Sequence, residues 1–551
     1  MSKGWFLVVW LVLTALYHGF IWPVYWLPAR GAIPFLIDAT VSFLVTGYLS
    51  LHIQRRRTYG SEQQRWGQVI REDEMAVIDH VVSGLRAKEK GAACQKCDGT
   101  SKCLHCKGRG WTHRPFKVAF QRDRIFLGFD ALSGEEIRLQ GEAVYRSTLV
   151  FGAPGSGKTK RAAHLVNRQL FRDQKGSAVY FSLKQSDADA VGKMARELGW
   201  QVHQVRRINL LNVFETWSDL TFGLKMGLKA AGYKSRESFW LDRAMMLLKM
   251  KAKEVFKTDT NPRLGIIVAQ ILETLTQDAK KGDNVKVDLI AISDFGGFLQ
   301  DFLDPLSPCR WIFDAGPEDY IPDGDGGLSR GAMIDWSMLS NQQQLVIIPP
   351  VGASRTGVVA ATALKFSIYS WFDKHKILEP DPKQRQRLSF IQDEGDNFVL
   401  ASEKGGIDDA YATKTWREFG YTSWCYTQSP EFLKLAMGPE KCRAYTGVVG
   451  NTLTFALPDV EVEEFVQGLP TYEFMQRSIN LNRRSSHYQD HENLLTGNLL
   501  VTRGESLSYG KGPWITGEYF QKLPPGCCVL QQAGETPRVV WIPYYDHVDI
   551  L

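Results

Sequence analysis

One stretch of eight residues, Gly152-Ala-Pro-Gly-Ser-Gly-Lys-Thr159, constrains the fold of this chain more than any other. It matches the pattern G-x-x-x-x-G-K-[ST] of a phosphate-binding loop. Residues 147–151 before it form an apolar run typical of a strand, and residues 160–172 after it have a pattern typical of a helix. A glycine-rich turn that matched by chance would not carry these flanks. The stretch therefore predicts a strand–loop–helix unit that binds a nucleoside triphosphate.

The residue types in this loop suit the binding of ATP with Mg²⁺. Glycines lack a β-carbon, so the backbone can curl tightly around a phosphate. The backbone N–H groups then form an anion-binding nest at the start of a helix, whose dipole adds positive potential. We expect the lysine to reach the β- and γ-phosphates and the threonine hydroxyl to hold Mg²⁺. The residues expected at the nucleotide are Gly152, Gly155, Ser156, Gly157, Lys158 and Thr159.

A second motif, an apolar strand that ends in two acidic residues, lies far along the chain. The run Leu388-Ser-Phe-Ile-Gln-Asp-Glu394 has the form of a Walker B element. We expect Asp393 to enter the Mg²⁺ shell and Glu394 to activate the attacking water. Gln392 interrupts the apolar run, so the identification depends on the acidic pair together with the phosphate loop. The two motifs predict a P-loop NTPase with an α/β, RecA-like parallel sheet.

The alternation of strands and helices after the phosphate loop also predicts a parallel sheet covered by helices. The two motifs are separated by more residues than a bare nucleotide-binding core needs, and the intervening sequence is rich in helical patterns. We therefore place an all-α subdomain at 216–330, inserted between two parts of the nucleotide-binding domain at 116–215 and 331–551. The polar stretch 476–498 reads as a solvated loop or as an excursion over a nucleic-acid channel.

The first 57 residues have the pattern of a transmembrane helical hairpin. Two apolar runs, Trp5–Trp26 and Ala32–Leu51, are each about 20 residues long, enough to span the hydrocarbon core of a bilayer. The alternative is a cleaved signal peptide, but the first run is too long and lacks a small-residue cleavage pattern. Basic residues at both ends predict that the termini of the hairpin face the cytosol. Residues 58–90 are then predicted to form a helical linker.

Residues 91–115 have the pattern of a small zinc knuckle. Two C-x-x-C pairs supply four thiolates, which can hold one tetrahedral Zn²⁺ and leave no position open for a catalytic water. The ligands are expected to be Cys94, Cys97, Cys103 and Cys106. The pattern C-x-x-C-x-G resembles the zinc modules of the DnaJ chaperone family, over this knuckle only. The alternative is a set of reactive or redox thiols. The other five of the nine cysteines are scattered, which excludes a disulfide framework.

Beyond these motifs, the chain resembles the type IV secretion coupling proteins, the VirD4/TraG/TraD group of conjugation ATPases. Several stretches carry the resemblance in the order of that family. They are the two N-terminal apolar runs, Leu149–Thr159, Phe239-Trp-Leu-Asp-Arg-Ala, Gln392-Asp-Glu394, Trp416-Arg-Glu-Phe-Gly420, Thr427-Gln-Ser429, Gly450–Asp459 and Leu523-Pro-Pro-Gly526. The zinc knuckle departs from the family pattern, and so does Lys184-Gln-Ser-Asp187, where Asp-x-Lys-Gly-Glu is common.

The resemblance implies a function and two further site residues. A member of this family would be a homohexameric ATPase of the bacterial inner membrane, two-pass, with its ATPase domain in the cytoplasm. It would deliver a relaxase–single-stranded DNA complex into a type IV secretion channel. Gln428 would sense the γ-phosphate, and Arg417 resembles the arginine finger that a neighbouring subunit supplies in ring ATPases. The alternative for Arg417 is a solvated helix arginine.

Two alternative functions stay open at this point. The same motor could recruit secreted effector proteins instead of DNA, with the zinc knuckle as an adaptor dock. A non-hydrolysing membrane receptor could bind nucleotide only in order to assemble, although the Asp393-Glu394 pair argues against this. The formal net charge of +6 permits nucleic-acid binding without arguing for it.

Overall fold

The computed structural model describes twelve stretches of the chain. They are residues 74–90, 115–205, 207–233, 238–259, 262–282, 284–315, 336–348, 354–375, 387–402, 406–469, 471–482 and 502–551. The predicted membrane hairpin at 1–57 and the four cysteines of the predicted zinc knuckle lie outside these residues. Within the described stretches, no helix has the length and apolar character needed to cross a membrane. The same stretches contain no cluster of His, Cys, Asp or Glu side chains that could hold a metal ion.

The strands are numbered in chain order. They are β1 (Phe116–Val118), β2 (Arg124–Asp130), β3 (Glu136–Gln140), β4 (Thr148–Phe151), β5 (Ser177–Phe181), β6 (Gln201–Gln204), β7 (Gln344–Ile348), β8 (Leu388–Gln392), β9 (Tyr421–Thr427), β10 (Asn451–Thr454), β11 (Thr471–Asn482), β12 (Thr502–Pro513), β13 (Cys527–Gln532), β14 (Arg538–Trp541) and β15 (Val548–Ile550).

The helices are numbered in the same way. They are α1 (residues 74–90), α2 (His164–Asp173), α3 (Gln185–Glu197), α4 (Trp217–Ala230), α5 (Ser238–Val255), α6 (Leu264–Lys280), α7 (Lys286–Gly297), α8 (Pro308–Phe313), α9 (Arg355–His375), α10 (Asp409–Thr415), α11 (Pro430–Met437), α12 (Pro439–Val448), α13 (Asp459–Gln467) and α14 (Gly517–Gln521).

An eleven-stranded sheet, in the order β3-β2-β14-β13-β10-β4-β9-β8-β5-β7-β6, forms the centre of the larger unit, which spans residues 77–470 and 513–551. All neighbours from β10 to β6 pair in parallel. Strands β4, β5, β7, β8 and β9 are buried along their whole length, as expected for a sheet covered on both faces. The predicted parallel sheet is confirmed in this part.

The remaining four strands of the sheet pair antiparallel, which the sequence did not predict. Strand β13 pairs with β10, and β14, β2 and β3 follow outward. Both hairpins in this part, β2–β3 and β13–β14, turn through a glycine with positive φ, Gly134 and Gly534. Such short turns join antiparallel neighbours, whereas parallel strands need a longer crossover. The fold is therefore α/β with a largely parallel, mixed sheet.

The described residues between β6 and β7 form the helices α4 to α8. They contain no β-strand, only one isolated β-bridge between Asn209 and Asp314. Helix α4 packs closely against α9. A β-carbon on Gly227 of α4 would lie 2.4 Å from the backbone oxygen of Val359, so only glycine permits this approach. Helix α9 begins at Arg355, and the Ser354 hydroxyl before it accepts a hydrogen bond from the Gly357 N–H (3.2 Å).

The smaller unit spans residues 1–76 and 471–512, and its described part contains a two-stranded sheet of β11 and β12. The prediction of a loop from residue 476 onward is wrong as far as Asn482, because β11 continues to that residue. Ile479 and Leu481 keep the alternation of apolar and polar residues that favours a strand. The polar composition of the stretch as a whole concealed this local period.

Candidate nucleotide-binding site

Four neighbouring strands bring the predicted nucleotide-binding residues to one edge of the sheet. The order is β4, β9, β8 and β5, and all four run in parallel. Phe151 lies opposite Thr427 and Phe181 lies opposite Gln392, whereas β9 extends two residues beyond Cys425, the partner of Gln392. The phosphate loop and the acidic pair therefore leave the sheet at the same edge, where ligands bind in open α/β sheets.

Strand β9 separates the two motif-bearing strands, so their tips are next-nearest neighbours. Gln428 directly follows β9, and its backbone oxygen accepts a hydrogen bond from Gly152 N (3.1 Å). On the other side, Asp393 N donates to Phe181 O (2.9 Å). These backbone bonds fix the phosphate loop, Gln428 and the acidic pair next to one another. Gln428 itself is half-buried.

The glycines of the phosphate loop are required for two different reasons. Gly155 and Gly157 have φ values of 80° and 102°, which side-chain-bearing residues rarely adopt. At Gly152 the limit is space, because a β-carbon would lie 2.6 Å from Ser156 Oγ and 2.8 Å from Phe455 Cβ. Directly after Gly157, a π-helical turn, Lys158–Ala163, leads into α2. The loop N–H groups thus precede a helix, as the sequence predicts.

The ammonium group of Lys158 lies between the loop and the acidic residues. Its Nζ donates to the backbone oxygen of Gly152 and to that of Ala153 (3.4 Å). Burial lowers the pKa of Lys158, and the carboxylates of Asp393, Asp396 and Glu394 oppose this effect. A cation that loop carbonyls and nearby carboxylates hold in place is suited to exchange these weak partners for phosphate oxygens.

Asp393 is the most deeply buried of the predicted magnesium ligands, with 5% of its surface exposed. Burial raises its pKa to about 7, and the negative charges of Asp187 and Glu394 add to this effect. A bound divalent cation would favour the ionised carboxylate. The donor set of the Asp393 carboxylate and the Thr159 hydroxyl, with nucleotide phosphates and water, is the oxygen chemistry that Mg²⁺ takes. These residues therefore fit the expected ion.

Glu394 occupies an unusual backbone conformation, with φ 54° and ψ 47°. A non-glycine residue in this left-handed region is strained, and such strain often marks functional sites. Its carboxylate Oε1 accepts a hydrogen bond from Lys184 Nζ (2.7 Å). Lys184 follows β5 and belongs to the segment that departs from the coupling-protein pattern. Lys184 therefore places a cation directly on the expected catalytic carboxylate.

Asp396 is a further acidic residue of the site that the sequence reasoning missed. Its Oδ1 accepts a hydrogen bond from Thr427 Oγ1 (2.7 Å), at the end of β9. Burial raises the pKa of Asp396, although the bond from Thr427 opposes this. The segment Asp393-Glu-Gly-Asp396 could have indicated this residue, since an aspartate three residues after Asp393 lies in the same turn of the chain.

Arg417 lies away from the nucleotide-binding edge of its own chain. It belongs to a 3₁₀-helix, Trp416–Phe419, that precedes β9, and its side chain is exposed. Gln428 follows the opposite end of β9, so at ~3.3 Å per residue the strand separates the two by ~20 Å. Arg417 cannot serve the site of its own chain from there. A role at a neighbouring subunit and the solvated-arginine alternative both stay predictions.

Comparisons with known proteins return solved structures alone. No family model matches the chain, and no curated protein matches it. The structure of the bacterial conjugative coupling protein TrwBdeltaN70 in its unbound form is similar with TM-score 0.48 and 14% identity, covering 73% of this chain and 86% of that one. The structure of TrwB bound to the ATP analogue ADPNP is similar with TM-score 0.46 and 15% identity, covering 73% of this chain and 85% of that one. The structure of VirB4 of Thermoanaerobacter pseudethanolicus is similar with TM-score 0.46 and 12% identity, covering 78% of this chain and 99% of that one. The first two structures are of the same coupling protein, TrwB.

Proposed function

We propose that the chain is a P-loop ATPase. The observation that carries this proposal is the meeting of Lys158 with Asp393 and Glu394 at one edge of the sheet, across β9, although they lie far apart in the sequence. Acidic side chains that face the lysine of a phosphate loop are what a magnesium–nucleotide site requires. A glycine-rich turn with no nucleotide role would not require an acidic pair opposite its lysine.

The side chains divide the chemistry between them. The loop N–H groups and Lys158 bind the phosphates, and Thr159 with Asp393 would hold Mg²⁺, which supplies charge neutralisation on the transferring phosphoryl group. Glu394 orients and deprotonates the attacking water, once its carboxylate has exchanged the ammonium of Lys184 for that water. Gln428 borders the loop from the end of β9, where it can report on the γ-phosphate.

We extend the proposal to the cellular role through the family resemblance of the sequence. Hydrolysis would drive delivery of single-stranded DNA, with its relaxase, into a type IV secretion channel. The chain would act as a membrane-anchored homohexamer, with the ATPase domain in the bacterial cytoplasm. A ring would contact the DNA phosphates without reading the sequence, and each nucleotide would receive Arg417 from the neighbouring subunit.

The ATPase proposal is tested with Lys158→Ala, which should remove ATP hydrolysis and DNA transfer while leaving the fold intact. Lys193→Ala is the matched control, because Lys193 is an exposed lysine on α3, a helix that packs against the same sheet. Both variants are compared with the unaltered protein for ATP turnover, with and without single-stranded DNA. Normal turnover in Lys158→Ala would refute the proposal. An unaltered protein that binds ATP without hydrolysing it would favour the receptor alternative.

The cargo is tested separately from the motor. Replacing Cys97 and Cys103 by serine should leave ATP turnover unchanged if the knuckle is structural or a docking site. DNA mobilisation and protein export are then measured side by side. Loss of protein export with intact DNA mobilisation would favour an effector-recruiting motor.

A further inference from the structure

Behind the turn Asp393–Asp396, called the acidic turn below, lies a lysine that the mechanism above does not use. Lys365 of α9 is fully buried, with 0% of its surface exposed. Its ammonium group donates three hydrogen bonds, to Gln392 Oε1 (2.7 Å), Phe398 O (2.9 Å) and Asp409 Oδ2 (2.8 Å). These three bonds satisfy the full donor capacity of a lysine. The side chain is therefore fixed in one position.

Two of these partners bracket the acidic turn. Gln392 is the last residue of β8 and directly precedes Asp393. Phe398 ends the 3₁₀-helix, Gly395–Phe398, that directly follows Glu394. One ammonium group thus ties the residue before the turn to the last residue of the helix after it. Every acidic residue of the site except Asp187 lies between these two anchor points.

The third partner connects the bracket to the surrounding core. Asp409 also accepts hydrogen bonds from the Tyr369 hydroxyl (2.6 Å) and from Leu400 N (2.8 Å). Gln392 in turn donates from Nε2 to Ser423 Oγ (3.0 Å) on β9. The polar residue that interrupts the β8 sequence is therefore a connector between α9 and the two strands at the site.

The turn needs such support because its backbone is strained. Glu394 keeps φ 54° although it carries a side chain, and such a conformation persists only where its surroundings over-determine it. Within the turn itself, Asn397 N donates to Glu394 O (3.0 Å), which closes the loop locally. The bracket from Lys365 supplies the long-range constraint at both ends.

We propose that Lys365 is a positioning residue of the ATPase site, which holds the strained turn so that Asp393 faces the metal and Glu394 faces the attacking water. The inference rests on the proposed function and adds a residue to it. A purely stabilising role fits the arrangement less well, since a buried ion pair adds little over apolar residues of similar volume. The lysine is well placed to specify geometry instead.

The test compares Lys365→Met with the double variant Lys365→Met/Asp409→Asn. The single variant leaves the Asp409 carboxylate buried without its ammonium partner and is therefore expected to be unstable. The double variant removes that charge and keeps an acceptor for Tyr369. Arg387→Met is the matched control, because Arg387 forms a buried ion pair with Asp173 (3.4 Å) directly before the opposite end of β8.

The measurements are binding of a fluorescent ATP analogue as Mg²⁺ is titrated, and kcat for ATP. Loss of a residue that orients a metal ligand costs ~10–100-fold in metal affinity. We therefore expect the Mg²⁺ midpoint of the double variant to rise ~10-fold or more and kcat to fall ~100-fold, since a shift of about 1 Å has an effect of that size. Magnesium-free nucleotide binding should change little. Arg387→Met should lower the unfolding temperature without moving the Mg²⁺ midpoint.

The outcomes separate the inference from the function beneath it. A folded double variant with the Mg²⁺ midpoint and kcat of the unaltered protein would overturn the positioning role and leave the ATPase proposal standing. An equal rise of the midpoint in Arg387→Met would also overturn it, because the effect would then follow stability alone. If the unaltered protein bound no nucleotide, the proposed function would fail, and the inference with it.

Discussion

Gly395, the residue after the acidic pair, gives the sharpest prediction about the site. A β-carbon at this position would lie 2.4 Å from Cys425 Sγ and 3.2 Å from Gln392 Cβ. Cys425 is in the middle of β9 and 1% exposed, so it has no room to move away. Gly395→Ala should therefore displace the acidic turn, and with it the carboxylates that face Lys158.

The size of the effect follows from the overlap. Non-bonded heavy atoms pack at ~3.5–4 Å, so the new methyl group must retreat by about 1 Å. Overpacking of this kind costs about 1–3 kcal/mol of unfolding free energy. A displacement of about 1 Å at catalytic groups can cost ~100-fold in rate. We expect both losses together, with the loss of activity the more severe.

If the loss in Gly395→Ala arises from this overlap, a second substitution at Cys425 should restore stability and activity. Cys425→Ala removes the sulfur atom and should cost only about 1 kcal/mol as a small cavity. In the double variant Gly395→Ala/Cys425→Ala the new methyl group fills that space, so stability and ATP turnover should largely return. Gly447→Ala is the control, because Gly447 lies in α12 with nothing within 4 Å of the added carbon. This change should be neutral or slightly stabilising.

Thermal unfolding and steady-state ATP turnover are measured for the unaltered protein and these four variants. Interaction between the two substitutions is read from the double-mutant cycle, in which contacting residues couple by about 0.5–3 kcal/mol. Full activity in Gly395→Ala, or purely additive losses in the double variant, would refute the steric reasoning. The first result would mean that the turn can shift without consequence for the chemistry, and the second that the losses do not arise from overlap with Cys425.

Three further predictions concern other parts of the chain. Burial raises the pKa of Asp314 from 3.8 to about 7, so the protonated form stabilises the fold at low pH. Up to about 4 kcal/mol of unfolding free energy should be lost as the pH rises from 4 to 7. In denaturant titrations, Asp314→Asn should lack this pH-dependent component. If Arg417 acts across a subunit interface, Arg417→Ala should leave the unfolding temperature unchanged and abolish ATP turnover, and mixing it with Lys158→Ala subunits should restore partial turnover. Unchanged turnover in Arg417→Ala alone would favour the solvated alternative, and lost turnover without recovery on mixing would refute the role across the interface. The purified protein should contain one zinc per chain by elemental analysis, and replacing Cys97 and Cys103 by serine should remove it.

The sequence predicted the parts of the fold that depend on local pattern. The apolar runs before the phosphate loop and before Asp393 became β4 and β8. Both ended at the expected residues, because a buried strand needs a continuous apolar run and the polar ligand must come after it. The strand before Gln428 is β9, which pairs with β8. The positions of the nucleotide-facing residues follow directly from these strand ends.

Long-range pairing could not be predicted in the same way. The C-terminal strands β13 and β14 join β10 to β2, and β14 is separated from β2 by hundreds of residues. The short strand β1 pairs with β15, close to the other end of the chain. Alternation of residues indicates that a strand exists, but it does not contain the identity of its neighbour. The antiparallel part of the sheet was therefore not predictable.

Charged residues on helices show the same limit at single positions. In the sequence, Arg161 reads as an ordinary basic residue of the loop helix. In the structure it is buried, donates to Ile542 O (2.5 Å), lies 3.7 Å from the centre of the Tyr544 ring and 3.9 Å from the Glu89 carboxylate. It therefore ties the helix of the phosphate loop to both α1 and the C-terminal segment.

Lys365 and Gln392 extend this reasoning to the chemistry of the site. A lysine within an apolar helix and a glutamine within an apolar strand each look like a defect when read alone. Together they form a hydrogen bond of 2.7 Å, which pairs two polar groups that would be costly to bury without partners. The motif residues determine which chemistry is available, while such paired exceptions determine the geometry in which it occurs. It follows that substitutions at the supporting pair should separate nucleotide binding, which the loop controls, from magnesium use, which the acidic turn controls.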